Sequence, residues 1–180
     1  MLRPLLVAGV ALLAAVAPAA AGGRDRLLAP AGRCAPQSDR AATVQAQERA
    51  MRCMVNFARR ERGLRPLARA GRLMESADRK AADLLRCDAF SHTACGRPFE
   101  FHMRATGYAT GCYRVGENLA WGSSRLGTVR AIMRSWLHSD GHRANLLDAR
   151  YGRHGVALRT GSLSGHGGAA VWVHQLGHRC

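Results

Sequence analysis

One acid and several imidazoles stand where the helical patterns of this chain stop. His92 follows the second amphipathic stretch. Glu117 lies in Gly116-Glu117-Asn118-Leu119-Ala120-Trp121, and His142 in Ser139-Asp140-Gly141-His142-Arg143-Ala144-Asn145. His174 sits in the last apolar run, Trp172-Val173-His174-Gln175. Element ends are common places for binding and catalytic groups. An ionised carboxylate beside an imidazole favours the imidazolium, and the imidazolium lowers the pKa of the acid in return. Two neutral imidazoles and a carboxylate also suit Zn²⁺ with an open fourth position. The carboxylate would then act as general base on a water held by the imidazoles. A third use is structural, because buried polar groups must be hydrogen-bonded and a His-Glu-His set bonds itself. The residues alone leave all three open.

Other chemistries are excluded. His138 and His142 have the i, i+4 spacing of a zinc-protease pair, but Ser139 stands where the general-base Glu would be. No Gly-x-Ser-x-Gly elbow supplies a serine nucleophile, and no glycine-rich phosphate loop is present. Asn118 and Asn145 are expected to bond loop backbone, and Asn118 also to border the cleft. Trp121, Trp136 and Trp172 are expected in the core or the cleft wall, and Tyr108 as a packing residue. His102, His154, His166 and His178 are expected at the surface.

The elements that must position these residues are legible in part. A helix is predicted from Ser38-Asp39 to Gly63, with Val44, Met51, Val55 and Ala58 on one face. Pro66 makes residues 64–67 an extended connector. A second helix is predicted from Ala70 to Arg86 on the stripe Leu73, Ala77, Ala81 and Leu84. Residues 87–124 read as irregular, punctuated by glycines. A third helix starts at Thr128 and is expected to stop at Asp140-Gly141. Gly155–Arg159 and Ala169–Leu176 read as strands of a hairpin joined by a loop over Gly161–Gly168. Helices first and strands last is not a βαβ alternation and indicates an α+β domain.

The 180 residues include 27 Lys+Arg, of which Lys80 is the only lysine, against 12 Asp+Glu. The net charge of +15 attracts polyanions. Nucleic acid is not the expected partner, because residues 1–21 read as an export signal: Arg3, an apolar run over Leu5–Val16, and Ala19-Ala20-Ala21 before Gly22. That run is shorter than the roughly 20 residues of a membrane span. No membrane span is expected after cleavage, and the chain is expected to be secreted or held in the cell envelope as a monomer. Six Cys in an exported chain predict three disulfides. Cys87 and Cys95 are close enough to staple a loop, and Cys34 and Cys180 are expected to tie down the two ends. Residues 22–38 lack a period and are expected to form a linker or loose arm ahead of a domain over 39–180.

Five motifs occur in order. They are Asn56-x-x-Arg59 with Gly63-Leu64-x-Pro66-Leu67; Phe90-Ser91-His92; Phe101-x-x-Arg104 with Gly107-Tyr108; Gly116-Glu117-Asn118-Leu119-Ala120; and Trp136-x-x-Ser139-x-Gly141-His142-Arg143-x-Asn145-x-Leu147. Together they resemble the CAP superfamily of cysteine-rich secretory proteins, antigen five and plant pathogenesis-related proteins of group one, in its exported bacterial branch of SCP-domain proteins. The resemblance implies a three-layer α-β-α sandwich with a mainly antiparallel central sheet. It also implies a cleft lined by two His and two Glu. His92 and Glu117 match two of these, and His142 stands in the bacterial position. The second Glu falls near Ser139 and the second His near Val171 or Trp172, so the tetrad is incomplete. His174 is the nearest imidazole and shares a strand face with Trp172.

The expected ligand-binding set is therefore His92, Glu117, Asn118, His142, Trp172 and His174. The expected function is binding of a lipid, an envelope component or a protein partner. The alternative is a hydrolase, with Glu117 as general base and His92 and His142 beside it. No cofactor is required; a divalent metal such as Zn²⁺ would be held by His92 and His142.

Overall fold

The computed structural model describes residues 22–180; the expected export signal lies outside them. A four-stranded sheet forms the middle layer. Its strands are β1 (Ala68–Arg69), β2 (Tyr113–Gly122), β3 (Arg153–Leu163) and β4 (His166–Arg179), in the order β1-β3-β4-β2. β4 runs antiparallel to both neighbours, whereas β1 pairs in parallel with β3. The sheet is thus mixed, by one two-residue pair. β2 was read as irregular because its glycines and polar residues hide an alternation that only pairing with β4 reveals. The β3–β4 hairpin is longer than its apolar run. It closes in the two-residue turn Ser164-Gly165, both at positive φ (51° and 78°), as a tight hairpin requires.

Side chains alternate across a strand, and the helices follow that alternation. Even-numbered residues such as Ala120, Val156, Leu158 and Trp172 pack with α2 (Val44–Arg60), α5 (Val129–His138) and α6 (Asp140–Leu147). Odd-numbered residues such as Leu119, Ala157, Val171 and Val173 pack with Ala77, Ala81 and Leu84 of α3 (Gly71–Arg86). These are the three layers of the expected sandwich. Two short helices, α1 (Gly22–Asp25) and α4 (Phe101–Ala105), lie outside the main layers. No helix among the described residues is long and apolar enough to cross a membrane.

Three boundaries differ from expectation. α2 is capped by Thr43, whose Oγ1 accepts from Ala46 N at 3.3 Å, not by Ser38 or Asp39. The Asp39 carboxylate instead accepts from Ala41 N, which turns the chain before the helix. Asp140-Gly141 does not end the helical region. Ser139 is extended (φ −93°, ψ 125°) and breaks it, and Asp140 opens α6. The expected loose arm is packed. Leu27, Leu28 and Ala29 are buried, Cys34 is bonded to Cys53 of α2, and Arg130 of α5 donates to Ala29 O and Gln37 Oε1. A cystine and a guanidinium fix a segment that has no helical or strand period of its own. Cys87–Cys95 and Cys112–Cys180 complete three disulfides.

Arg59 ties the α2 layer together. It is 1% exposed. Its guanidinium donates to Arg65 O (2.9 Å), Leu146 O (2.8 Å), Asp148 O (3.0 Å) and Tyr151 O (3.3 Å). One turn earlier, Asn56 exchanges two hydrogen bonds with the main chain of Leu67. The Asn56-x-x-Arg59 signature is therefore a clamp on the connector and on the end of α6. Arg59→Met would leave four carbonyls without their donor, and we expect a loss of about 3–5 kcal/mol of stability in urea unfolding. Arg59→Lys should recover only part of it, because an ammonium lacks the planar fork. A loss below about 1 kcal/mol in Arg59→Met would contradict the clamp.

Candidate functional site

Glu117 lies on β2, at the edge of the sheet, and its register partner on β4 is Gln175. Both point to the α3 face. The Glu117 side chain is 1% exposed, yet both its oxygens are bonded: His92 Nδ1 donates to Oε1 at 2.9 Å and Gln175 Nε2 to Oε2 at 3.0 Å. A carboxylate only accepts, so the His92 proton sits on Nδ1. The His92 side chain is 54% exposed, which makes it the solvent-facing member. Its loop is stapled by Cys87–Cys95 and held from beneath by Lys80 of α3, whose buried Nζ donates to His92 O at 2.7 Å. Burial pushes the Lys80 ammonium down, and the carboxylates of Glu117 and Asp83 pull it back up.

Sequence reading singled out neither Lys80 nor Gln175. The available signal for Lys80 was its status as the only lysine of a basic chain. For Gln175 it was the strand alternation: if His174 faces one layer, Gln175 faces the other.

His142 reaches the same edge from the opposite layer. It is half-buried on α6, and its Nδ1 is buried without a partner. Burial, and then the charge of His92, push its imidazole below the usual histidine range. The link to the sheet is made by Asn118, whose Nδ2 donates to His142 O at 3.0 Å. Asn145 Nδ2 in turn donates to Asn118 Oδ1 (2.9 Å) and Glu117 O (3.3 Å). His92 and Glu117 are thus in contact, and His142 is near enough to feel the charge of His92.

The other three expected site residues lie elsewhere. Asn118, Trp172 and His174 are even-numbered, so they point away from Glu117, and all three are fully buried. Asn118 is a strut for α6 rather than a ligand contact. Trp172 Nε1 donates to Gly127 O. His174 sits 3.2 Å from His154 Nδ1 and against the Trp136 ring. His154 is therefore buried, not at the surface. His102 is buried too, with Nε2 donating to Asp83 at 2.7 Å. Burial alone would raise the Asp83 carboxyl, but hydrogen bonds from Arg86, His102 and Arg97 outweigh it and bring it to about 2. His166 and His178 are exposed, as expected.

The donors do not fit a metal. Among the described residues no three His, Cys, Asp or Glu side chains converge on one point. Glu117 is buried beneath its bonds to His92 and Gln175, and His92 is engaged at Nδ1.

Residues 52–175 match the model of the cysteine-rich secretory protein (CAP) family. The chain belongs to the CAP family. It is 31% identical over 125 residues to the uncharacterized protein YkwD of Bacillus subtilis (strain 168), a match that covers 67% of this chain and 46% of YkwD. The CAP chain therefore spans about half the length of that relative. Among solved structures, an outer surface protein of Borrelia burgdorferi superposes with a TM-score of 0.65 at 17% identity, covering 77% of this chain and 97% of the other. An extracellular SCP-domain protein of Bacillus anthracis gives 0.57 at 20%, covering 75% and 43%. These likenesses establish the fold.

The His154–His174 pair gives this CAP domain a pH signature. Burial, with Arg52 and Arg59 nearby, lowers His154 from 6.5 to about 3. Burial, His154 and Arg59 also drive His174 well below 6.5. Both rings are neutral in the folded state and take up protons on unfolding. Their contribution to stability is complete above pH 6.5 and is lost as the pH falls toward about 3. We expect the unfolding free energy from urea titrations to fall steeply between pH 6 and 4, by up to about 2–3 kcal/mol per pH unit. His174→Leu should roughly halve that slope. A flat profile over this range would contradict the assignment.

Proposed function

We propose that this CAP domain is an extracellular binding module, and that its ligand docks at the β2 edge on His92, with Glu117 and His142 beneath. The ligand class is a lipid, an envelope component or a protein partner. The observation that carries this reading is the burial of Glu117 beneath its two donors. A general base needs a lone pair within reach of a water or a substrate proton. Here each oxygen accepts one hydrogen bond, from His92 and from Gln175, and the side chain is only 1% exposed, so its remaining lone pairs face protein rather than solvent. What the site offers to solvent is a held imidazole ring. A second partnerless imidazole nitrogen, on His142, lies close by. The export signal read at the N-terminus, three disulfides and the extracellular and outer-surface descriptions of the structural neighbours support an extracellular setting.

The test is direct. The mature chain and Glu117→Gln are compared on ester, peptide and peptidoglycan substrates, with bound metal measured in both. We expect no turnover above background in either protein and no stoichiometric metal. Retention on isolated envelope fractions should drop about tenfold or more in His92→Ala, the loss of one charge-assisted contact. One equivalent of metal together with turnover abolished by Glu117→Gln would overturn the binding reading in favour of hydrolysis.

A further inference from the structure

The start of α3 lies at the other end of that helix from His92. Beside it is a cavity of about 660 Å³ lined by Arg69, Arg72, Arg153, Arg179, Tyr108, Cys180 and the first turn of the helix. None of these four arginines is in an ion pair among the described residues; nine other arginines are. Arg72 donates only to Gly107 O. Like charges gathered without counter-charges repel one another, so the cluster is stabilised by any anion that enters it.

Two further features point the same way. First, α3 has no cap. Ala70 stands at its N-cap with no side-chain acceptor, and the first bond back into the helix is Met74 N to Ala70 O. The main-chain N–H groups of Gly71, Arg72 and Leu73 are left at the positive end of a 16-residue helix, a natural anion site. Second, Tyr108 is 2% exposed and its hydroxyl is buried with no partner. The ring lies directly on Gly177, where a Cβ would come within 2.3 Å of it. The tyrosine is thus seated by a residue without a side chain, and it lines the same cavity as the guanidinium groups, with Arg153 and Arg179 near enough to act on its hydroxyl. A buried hydroxyl without a partner needs an explanation.

The side chains that line it are rich in donors: four guanidinium forks that only donate and a phenol that can donate, beside the N–H groups of Gly71 and Arg72. Burial pushes the phenol up, against the pull of Arg153 and Arg179, so it keeps its proton. A site dominated by donors favours a ligand rich in acceptors. A phosphate group offers three or more oxygens and matches guanidinium forks in geometry.

We propose that this cavity binds the phosphate group of a phosphorylated ligand, at a site separate from the His92–Glu117 cleft. The chemistry is that of a phosphate ester, and its source is either a soluble ester or a lipid headgroup. The probes are glycerol 3-phosphate, titrated by calorimetry, and vesicles of phosphatidylglycerol in phosphatidylcholine, followed by co-sedimentation. The full mature chain is used at low salt. Arg153→Gln with Arg179→Gln should weaken binding at least about tenfold. Tyr108→Phe should weaken it several-fold with an unchanged melting temperature. Arg125→Gln, an exposed arginine outside the cavity, should change nothing. Glu117→Gln should also leave it unchanged, which keeps this result independent of the β2-edge cleft. Stronger binding to vesicles than to the soluble ester, lost in the same variants, would assign the phosphate to a lipid headgroup; the reverse would assign it to a soluble ester. No binding of either probe up to about 10 mM ligand, or equal weakening by Arg125→Gln, would overturn the site.

Discussion

The guanidinium of Arg59 is buried with every bond directed at main-chain oxygen. A charge in the interior is tolerable only when its donors are satisfied, so each of the four carbonyls is also fixed by it. Those carbonyls belong to the connector before β1, the end of α6 and the turn before β3. The arginine therefore sets how α6 lies against the sheet, and α6 carries His142 and Asn145. Its field also reaches the core: Arg59 is among the charges that keep His154 and His174 neutral. One side chain thereby couples the α2 layer, the protonation state of the buried histidines and the lower half of the cleft.

From that anchor the cleft follows by geometry. β2 is an edge strand, and an edge strand must be covered or paired. It is covered from both layers. The His92 loop comes over it from the α3 side, fixed by Cys87–Cys95 and Lys80. α6 comes from the other side, fixed by Asn118 and Asn145. Successive residues of the Glu117-Asn118 pair serve the two layers in turn: Glu117 receives the loop and Asn118 receives the helix. The motif is contiguous in sequence because the strand presents alternate residues to opposite partners.

This explains what could be read from the sequence and what could not. Helical stripes such as Leu73, Ala77, Ala81 and Leu84 have a period of their own, so α3 was visible to within a residue. His92, Glu117 and His142 were visible through motifs tied to element ends. β2 was not visible, because its alternation mixes Gly, Glu and Asn with Leu and Ala, and its meaning comes from β4. The face of each residue was lost with it. His174 was grouped with Glu117 by proximity in the motif pattern, although the parity of the paired strands places it across the sheet. Gln175, one position on, has the right parity and makes the contact. Lys80 escaped for a different reason. On a helix rich in Arg it reads as one more surface cation, and only the position of the His92 loop shows that it is buried.

Charge separates the two ends of α3. Toward its C-terminus the carboxylates of Asp83 and Glu117 are each surrounded by donors, and Lys80 lies between them. At its N-terminus the pattern reverses, with Arg69, Arg72, Arg153 and Arg179 around a helix end and no Asp or Glu side chain lining the cavity. Several exposed arginines elsewhere on the surface have paired acids: Arg79 with Glu75, Arg104 with Glu100, Arg150 with Asp148 and Arg159 with Asp78. The net positive charge of the chain is thus unevenly answered. Four of the arginines without an acid partner meet around one cavity. A basic composition raises the local concentration of any polyanion, but convergence of unpaired donors is what selects a particular oxyanion geometry. The first is a property of the whole surface, and the second belongs to the end of one helix.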